Sequence, residues 1–207
     1  YQLPAYAFWG AVSTGDGQVV FAPCDSTGIG VYEAHTSAFS LVDISVARLG
    51  GTHGLDGTKK FSGAALATNG QVIFAPLSQD HVGVFNPATR VFTLVSTSIL
   101  GGILAQHMFS GAIAMSHGEV FFTPLSNTQA AGVYNAFTSI FKLVVGGPAT
   151  TGTDGDFLDG VAFGNDDIVF APYNENAVGM LTRERGFPLN HIGNSRANVC
   201  TLSGGTR

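Results

Sequence analysis

Carboxylates crowd one stretch of the chain: Asp154, Asp156 and Asp159 stand among small residues, and Asp166-Asp167 follow closely. Hard oxygen ligands at alternate positions are what calcium takes. The EF-hand spacing fails, because Leu158 occupies the fifth position and no Glu closes the loop. Asp and Gly at this density are also ordinary turn formers, and no metal site is assigned. The six histidines (35, 53, 81, 107, 117, 191) form no H-x-H or H-E-x-x-H pair, so zinc-ligand spacing is missing. No G-x-S-x-G elbow, P-loop or G-x-G-x-x-G fingerprint occurs. Neither a catalytic residue nor a cofactor is expected.

One polar set does recur. Each Phe-x-Pro is followed by a polar loop: Asp25-Ser26, Ser78-Gln79-Asp80, Ser126-Asn127-Thr128 and Asn174-Glu175-Asn176. Asp25, Ser78, Asp80, Asn127, Asn174 and Glu175 are therefore the candidate binding residues, able to hydrogen-bond sugar hydroxyls or a partner's backbone. Exposed turns contain the same residue types, so this set needs a geometric test. The two cysteines, Cys24 and Cys200, would staple first and last repeats if the chain closed into a ring; otherwise they are unrelated thiols. Two cysteines do not fix a redox compartment.

Composition narrows the class. The 207 residues are 45% hydrophobic and only 11% charged, with 28 Gly and 16 Phe against a single Trp. Such a chain fills a core and joins buried segments by tight turns, which excludes disorder. The net charge of −5, without a Lys/Arg cluster, argues against nucleic acid and against anionic membrane surfaces. The uncharged window 91–118 is broken by Ser, Thr, Gly, Gln106 and His107, so no transmembrane segment is expected. The chain opens at Tyr1 without a signal-peptide pattern. A soluble protein is expected, secreted or in an organelle lumen among the options, and the compartment stays open.

What must position these residues is an internal repeat. Phe8-Trp9-Gly10-Ala11 recurs as Phe61-Ser62-Gly63-Ala64 and Phe109-Ser110-Gly111-Ala112, then loosely as Leu158-Asp159-Gly160-Val161, at glycine spacings of 53, 48 and 49 residues. Each copy continues with Phe-x-Pro (Phe21, Phe74, Phe122, Phe170) and then Gly-hydrophobic-hydrophobic at Gly30, Gly83, Gly132 and Gly179. The first three end in Thr-x-x-Phe-x-Leu-Val. In the second copy Asn69-Gly70 is a strong hairpin signal, Pro76 stops a strand, and 90–95 alternates polar and apolar. The unit is a four-stranded antiparallel meander of about 48 residues. It cannot bury both faces alone, so copies must stack, which is the pattern of propeller blades.

The fold expected is thus all-β: a β-propeller of four repeats over 1–182, with blades near 8–45, 61–98, 109–146 and 158–182. A β-trefoil would need three units. Small residues in Gly63-Ala64-Ala65-Leu66-Ala67 suit the crowded innermost strand. The fourth copy lacks the closing motif. Residues 1–7 could complete it, or the array continues beyond this chain. Residues 183–207 hold Arg183, Arg185, Arg196 and Arg207 and read as an irregular tail.

Residues 72–95, VIFAPLSQDHVGVFNPATRVFTLV, resemble the YVTN-type repeat, and FSGAALATNGQVIFAP is similar to a kelch-like repeat of protists. The resemblance covers 8–181 and implies a propeller; its motifs build blades and carry no chemistry. The function expected is a non-catalytic protein-binding or scaffold propeller, a subunit of a larger assembly. The alternative is a lectin-like propeller with repeated carbohydrate sites.

Overall fold

The structure is a computed structural model, described over residues 2–45, 57–97, 108–125, 130–145, 157–164, 166–174 and 178–182. Four antiparallel meanders account for nearly all of it. The first holds β1 (Phe8–Ser13), β2 (Gln18–Pro23), β3 (Gly28–Glu33) and β4 (Ala38–Asp43). The second holds β5 (Phe61–Leu66), β6 (Val72–Pro76), β7 (His81–Asn86) and β8 (Val91–Ser96). The third holds β9 (Phe109–Ala114), β10 (Glu119–Pro124), β11 (Ala130–Asn135) and β12 (Ile140–Val145). The fourth, β13 (Phe157–Phe163), β14 (Asp167–Pro172) and β15 (Gly179–Leu181), has three strands among the described residues. The tail at 183–207 and Cys200 lie outside the described residues, as do Asn127, Asp154, Asp156 and Glu175.

Each meander is organised by phenylalanines packed over a glycine. In the third, the rings of Phe109, Phe122 and Phe141 lie with centroids 5.6, 6.3 and 6.2 Å apart. They cover Gly132, where a Cβ would come within 2.8 to 2.9 Å of all three rings. Phe61, Phe74 and Phe92 over Gly83, and Phe8, Phe21 and Phe39 over Gly30, repeat the arrangement. The recurring glycine of β3, β7, β11 and β15 is thus a steric requirement of the recurring phenylalanines. Each buried ring contributes roughly 1.5–3 kcal/mol by leaving water.

The inner strands stand side by side in the order β1, β5, β9, β13. They approach closely enough that a Cβ on Gly63 would lie 2.6 Å from the Ala112 nitrogen, and one on Gly10 would lie 3.0 Å from the Ser62 carbonyl oxygen. This is why the innermost strand is built of Gly and Ala. The fourth copy departs from the glycine alignment expected from sequence. Asp159 pairs with Ala171 as Gly63 pairs with Ala75 and Gly111 with Thr123, whereas Gly160 pairs with Phe170 in the place of Ala64 and Ala112. The register is set by Phe157 opposite Pro172, so an aspartate, not a glycine, takes the close-approach position.

Three apolar clusters fill the three junctions. Val20, Ala22, Ile29 and Val31 of the first blade meet Phe61, Val72, Phe74 and Phe85 of the second. Ala65, Ile73, Ala75, Val82 and Val84 meet Phe109, Val120, Phe122 and Tyr134. Ile113, Phe121, Ala131 and Val133 meet Phe157, Ile168, Phe170 and Leu181. A chain of backbone bonds crosses the first two of these junctions: Cys24 N–H to Ala7 O, Lys60 N–H to Cys24 O, Leu77 N–H to Lys60 O, Met108 N–H to Leu77 O, and Leu125 N–H to Met108 O. Every second bond in it passes from one blade to the next. The blades form a consecutive arc, and no comparable contact joins β13 back to β1 among the described residues. Tyr6 and Ala7 are held by the first blade, their carbonyls accepting the N–H groups of Asp25, Cys24 and Ser26.

Candidate functional site

The residues that follow the Phe-x-Pro prolines in the first three blades, Cys24, Leu77 and Leu125, lie at one end of the arc, linked by the backbone chain just described. Asp25 Oδ1 accepts the Lys59 N–H at 2.7 Å, which fixes the connector entering the second blade. Ser26 is buried and its hydroxyl donates to Gly28 O at 2.8 Å. Ser78 is half-buried and sends its N–H to Lys59 O. Asp80 pairs through its carboxylate with His81 Nδ1, and its carbonyl accepts both the N–H and the hydroxyl of Thr97 at 2.9 and 2.6 Å. Asn174 is exposed. Asp25, Ser78 and Asp80 are therefore engaged in holding neighbouring segments, the ordinary duty of polar turn residues.

Two aromatic residues that the sequence reading passed over stand open at this end. Tyr173 follows Pro172 as Cys24, Leu77 and Leu125 follow their prolines, and it is 60% exposed where Cys24 and Leu77 are each 1%. Tyr6, just before the first blade, is 78% exposed. Trp9 is exposed as well, at the position held by Ser62 and Ser110 in the next two blades, whose hydroxyls donate to Phe109 O at 2.6 Å and Phe157 O at 3.1 Å. For Tyr173 and Trp9 the sequence signal is a break in the repeat, each replacing a small or aliphatic residue at an equivalent site; Tyr6 stands where the second blade has Lys59.

Cys24 lies in the first junction. Burial above all, with the Asp25 carboxylate next, pushes its thiol up to about 11. Lys60, equally buried, donates from Nζ to Gly57 O at 2.8 Å. Pairing of Cys24 with Cys200 falls outside the described residues.

At the opposite end, the β9–β10 and β13–β14 hairpins bring Ser116, His117 and Asp166 together. Asp166 accepts the Ser116 N–H at 2.7 Å and the Ser116 hydroxyl at 2.8 Å, and its Oδ2 meets His117 Nδ1 at 2.8 Å. The residue types are those of a hydrolytic triad, but the geometry is not. Hydroxyl and carboxylate both meet the same imidazole nitrogen, whereas activation of a nucleophile needs one on each. Burial works to raise the Asp166 carboxyl, and the Ser116 N–H, His117 and the Ser116 hydroxyl outweigh it, so it lies below the usual carboxylate range. The group is an ionic clamp between the third and fourth blades.

On the third blade Glu119, Val133, Asn135, Thr138, Ile140 and Lys142 line a cleft of about 200 Å³. It opens on the face turned toward the fourth blade. Among the described residues no group of three His, Cys, Asp or Glu side chains could hold a metal ion. No helix among them is long and apolar enough to cross a membrane.

No protein-family model matches the sequence, and no curated protein does. Solved structures do match in fold. A virginiamycin B lyase from Staphylococcus aureus superposes with a TM-score of 0.60 at 16% identity, over 83% of this chain and 51% of its own. A streptogramin B lyase gives 0.61 at 14% identity, over 88% of this chain and 53% of its own. The WD40 repeats of RRP9 give 0.59 at 13% identity, over 87% and 48%. The chain spans about half the length of each. These neighbours are propeller and WD40-type folds, and they include both enzymes and repeat domains, so the likeness establishes blade architecture alone.

Proposed function

We propose that this chain is a non-catalytic protein-interaction module, a propeller-type scaffold that serves as a subunit of a larger assembly and presents its Phe-x-Pro loop end to a protein partner. The observation that carries this reading is the exposure of Tyr6 and Tyr173 at that end. Tyrosine offers a large, rigid, amphipathic contact surface and is enriched among residues that dominate binding energy. The likeness to WD40 repeats supports the reading as an analogy of fold. The sequence resemblance to YVTN-type and kelch-like repeats points the same way.

Quantitative comparison of proteins retained by immobilised wild-type chain and by the Tyr6→Ala/Tyr173→Ala double variant tests it. A partner retained by the first and lost by the second is expected. Identical retention by both, or no specific partner, would overturn the reading.

The lectin-like alternative draws on one feature, the exposed Asn174 amide beside the exposed Tyr173 ring, a stacking surface with a hydrogen-bonding group next to it. A glycan array without binding would remove it.

A further inference from the structure

Equivalent positions in the four blades carry the same chemistry but not the same burial. On the forward face of each blade, the one turned toward the next, Ala65 is 4% exposed and Ile113 3%, while their counterpart Val161 in the last blade is 62% exposed. Ala22, Ala75 and Thr123 are fully buried and Ala171 is exposed. Phe163 stands open beside them, where Ala67 and Met115 are buried. On the backward face the gradient reverses. Val72, Val120 and Ile168 are fully buried, and Val19 of the first blade is not. Phe74, Phe122 and Phe170 are fully buried, Phe21 only partly; Ala112 is buried and Ala11 exposed. The exposed residues are thus the two halves of one junction, which this chain already builds three times.

We infer that the forward face of the fourth blade receives the backward face of the first blade of a second copy, so that two chains complete one ring. The occupant follows from continuity with the internal junctions. The surface that matches Val161, Phe163, Ala171 and Met180 is a Phe- and Val-bearing backward face, and the chain exposes one at its other end. Length agrees: a single copy aligns with 51% of one neighbour's chain and 53% of another's, so two copies contain about the ring material of one such chain. Contact between different faces of two molecules is heterologous and closes only when the rotation per step allows it. Asp159 replaces glycine at the inner edge of this seam, so the seam does not copy the inner-strand contact atom for atom. Tyr173 holds the place that Cys24 and Leu77 hold in the internal junctions, so the seam would cover it as well. The seam variants leave Tyr6 and Tyr173 unchanged, so their failure is distinguishable from failure of the partner reading above.

Sedimentation velocity of the 207-residue chain and two variants at tens of micromolar tests it. The wild type is expected at twice its 21.4 kDa mass. Ala11→Asp and Val161→Asp each place a charge in both seams and should sediment as monomers. Mixed together they should regain a two-chain species, because the backward face of Val161→Asp and the forward face of Ala11→Asp are both intact. Far-UV circular dichroism confirms folding, and Ser13→Asp with Ala171→Asp, exposed positions on the same two faces, replace any variant that fails it. A monomeric wild type, an open polymer, a dimeric single variant or a mixture that stays monomeric would each overturn the two-chain ring.

Discussion

Asp166, on the first hairpin of the fourth blade, takes the Ser116 N–H of the third at 2.7 Å across a separation of 50 residues. Its backbone lies in the left-handed region at φ 68°, a conformation Asn shares readily. Asp166→Asn therefore keeps the backbone and removes the charge. The loss should be about 1–3 kcal/mol in chemical denaturation at pH 7, the worth of charge-assisted bonds to a buried carboxylate. Because the folded carboxyl lies below its usual range, its contribution is complete above the unfolded value near ~4 and fades as pH falls through the folded one. The wild-type and variant stability curves should converge in acid. A gap independent of pH would refute the clamp.

Asp159 titrates in the opposite sense. Desolvation raises its carboxyl and the Gly160 N–H only partly offsets this. A raised folded value stabilises below the unfolded value near ~4 and that stability is lost as pH rises through the folded one. Asp159→Asn should therefore gain stability at pH 7, by less than about 1 kcal/mol because water still reaches the side chain, and gain nothing in acid. Thermal unfolding at two pH values reads the difference.

Gly132 and Gly30 hold the same place under their phenylalanines, yet their tolerance should differ. An alanine Cβ at Gly132 meets three rings buried between two blades, and overpacking of that kind costs about 1–3 kcal/mol. At Gly30 the Cβ meets Phe8 and Phe39, whose rings are only partly buried and free to move outward. In a chain kept monomeric by Val161→Asp, Gly132→Ala should therefore destabilise measurably more than Gly30→Ala in urea titrations. In the two-chain wild type the difference should shrink, because the second copy covers the face that carries Phe8 and Phe39.

Ser37, Arg90 and Ser139 adopt φ of 54°, 58° and 55° at one equivalent turn position in three blades. A non-glycine residue pays roughly 1–2 kcal/mol there, and glycine returns part of it as chain entropy. Ser139→Gly should raise stability by up to about 1 kcal/mol, whereas glycine at an ordinary strand position such as Thr93 should lower it. Arg90 also reaches Ser40 Oγ at 3.1 Å, so glycine there should gain less.

What the sequence by itself determined was the module. Phe, Gly and Pro recur because a ring needs a glycine beneath it and a proline ends the ladder, and both demands are local to one meander. Asn69-Gly70 announced its hairpin for the same reason, with Gly70 at φ 82°. The sequence set the loops after each Phe-x-Pro in one family, but only tertiary structure decided what they do. Asp25 reaches a residue 34 positions away, and no spacing rule carries that distance. Ser116 and Asp166 were scattered letters until two hairpins met. The glycine alignment of the last copy slipped by one because register is fixed by the pair Phe157 and Pro172 across the strands, not by the nearest matching letter. Burial, finally, belongs to neighbours: Ile113 and Val161 occupy equivalent places, and only the presence or absence of the next blade makes one core and the other surface.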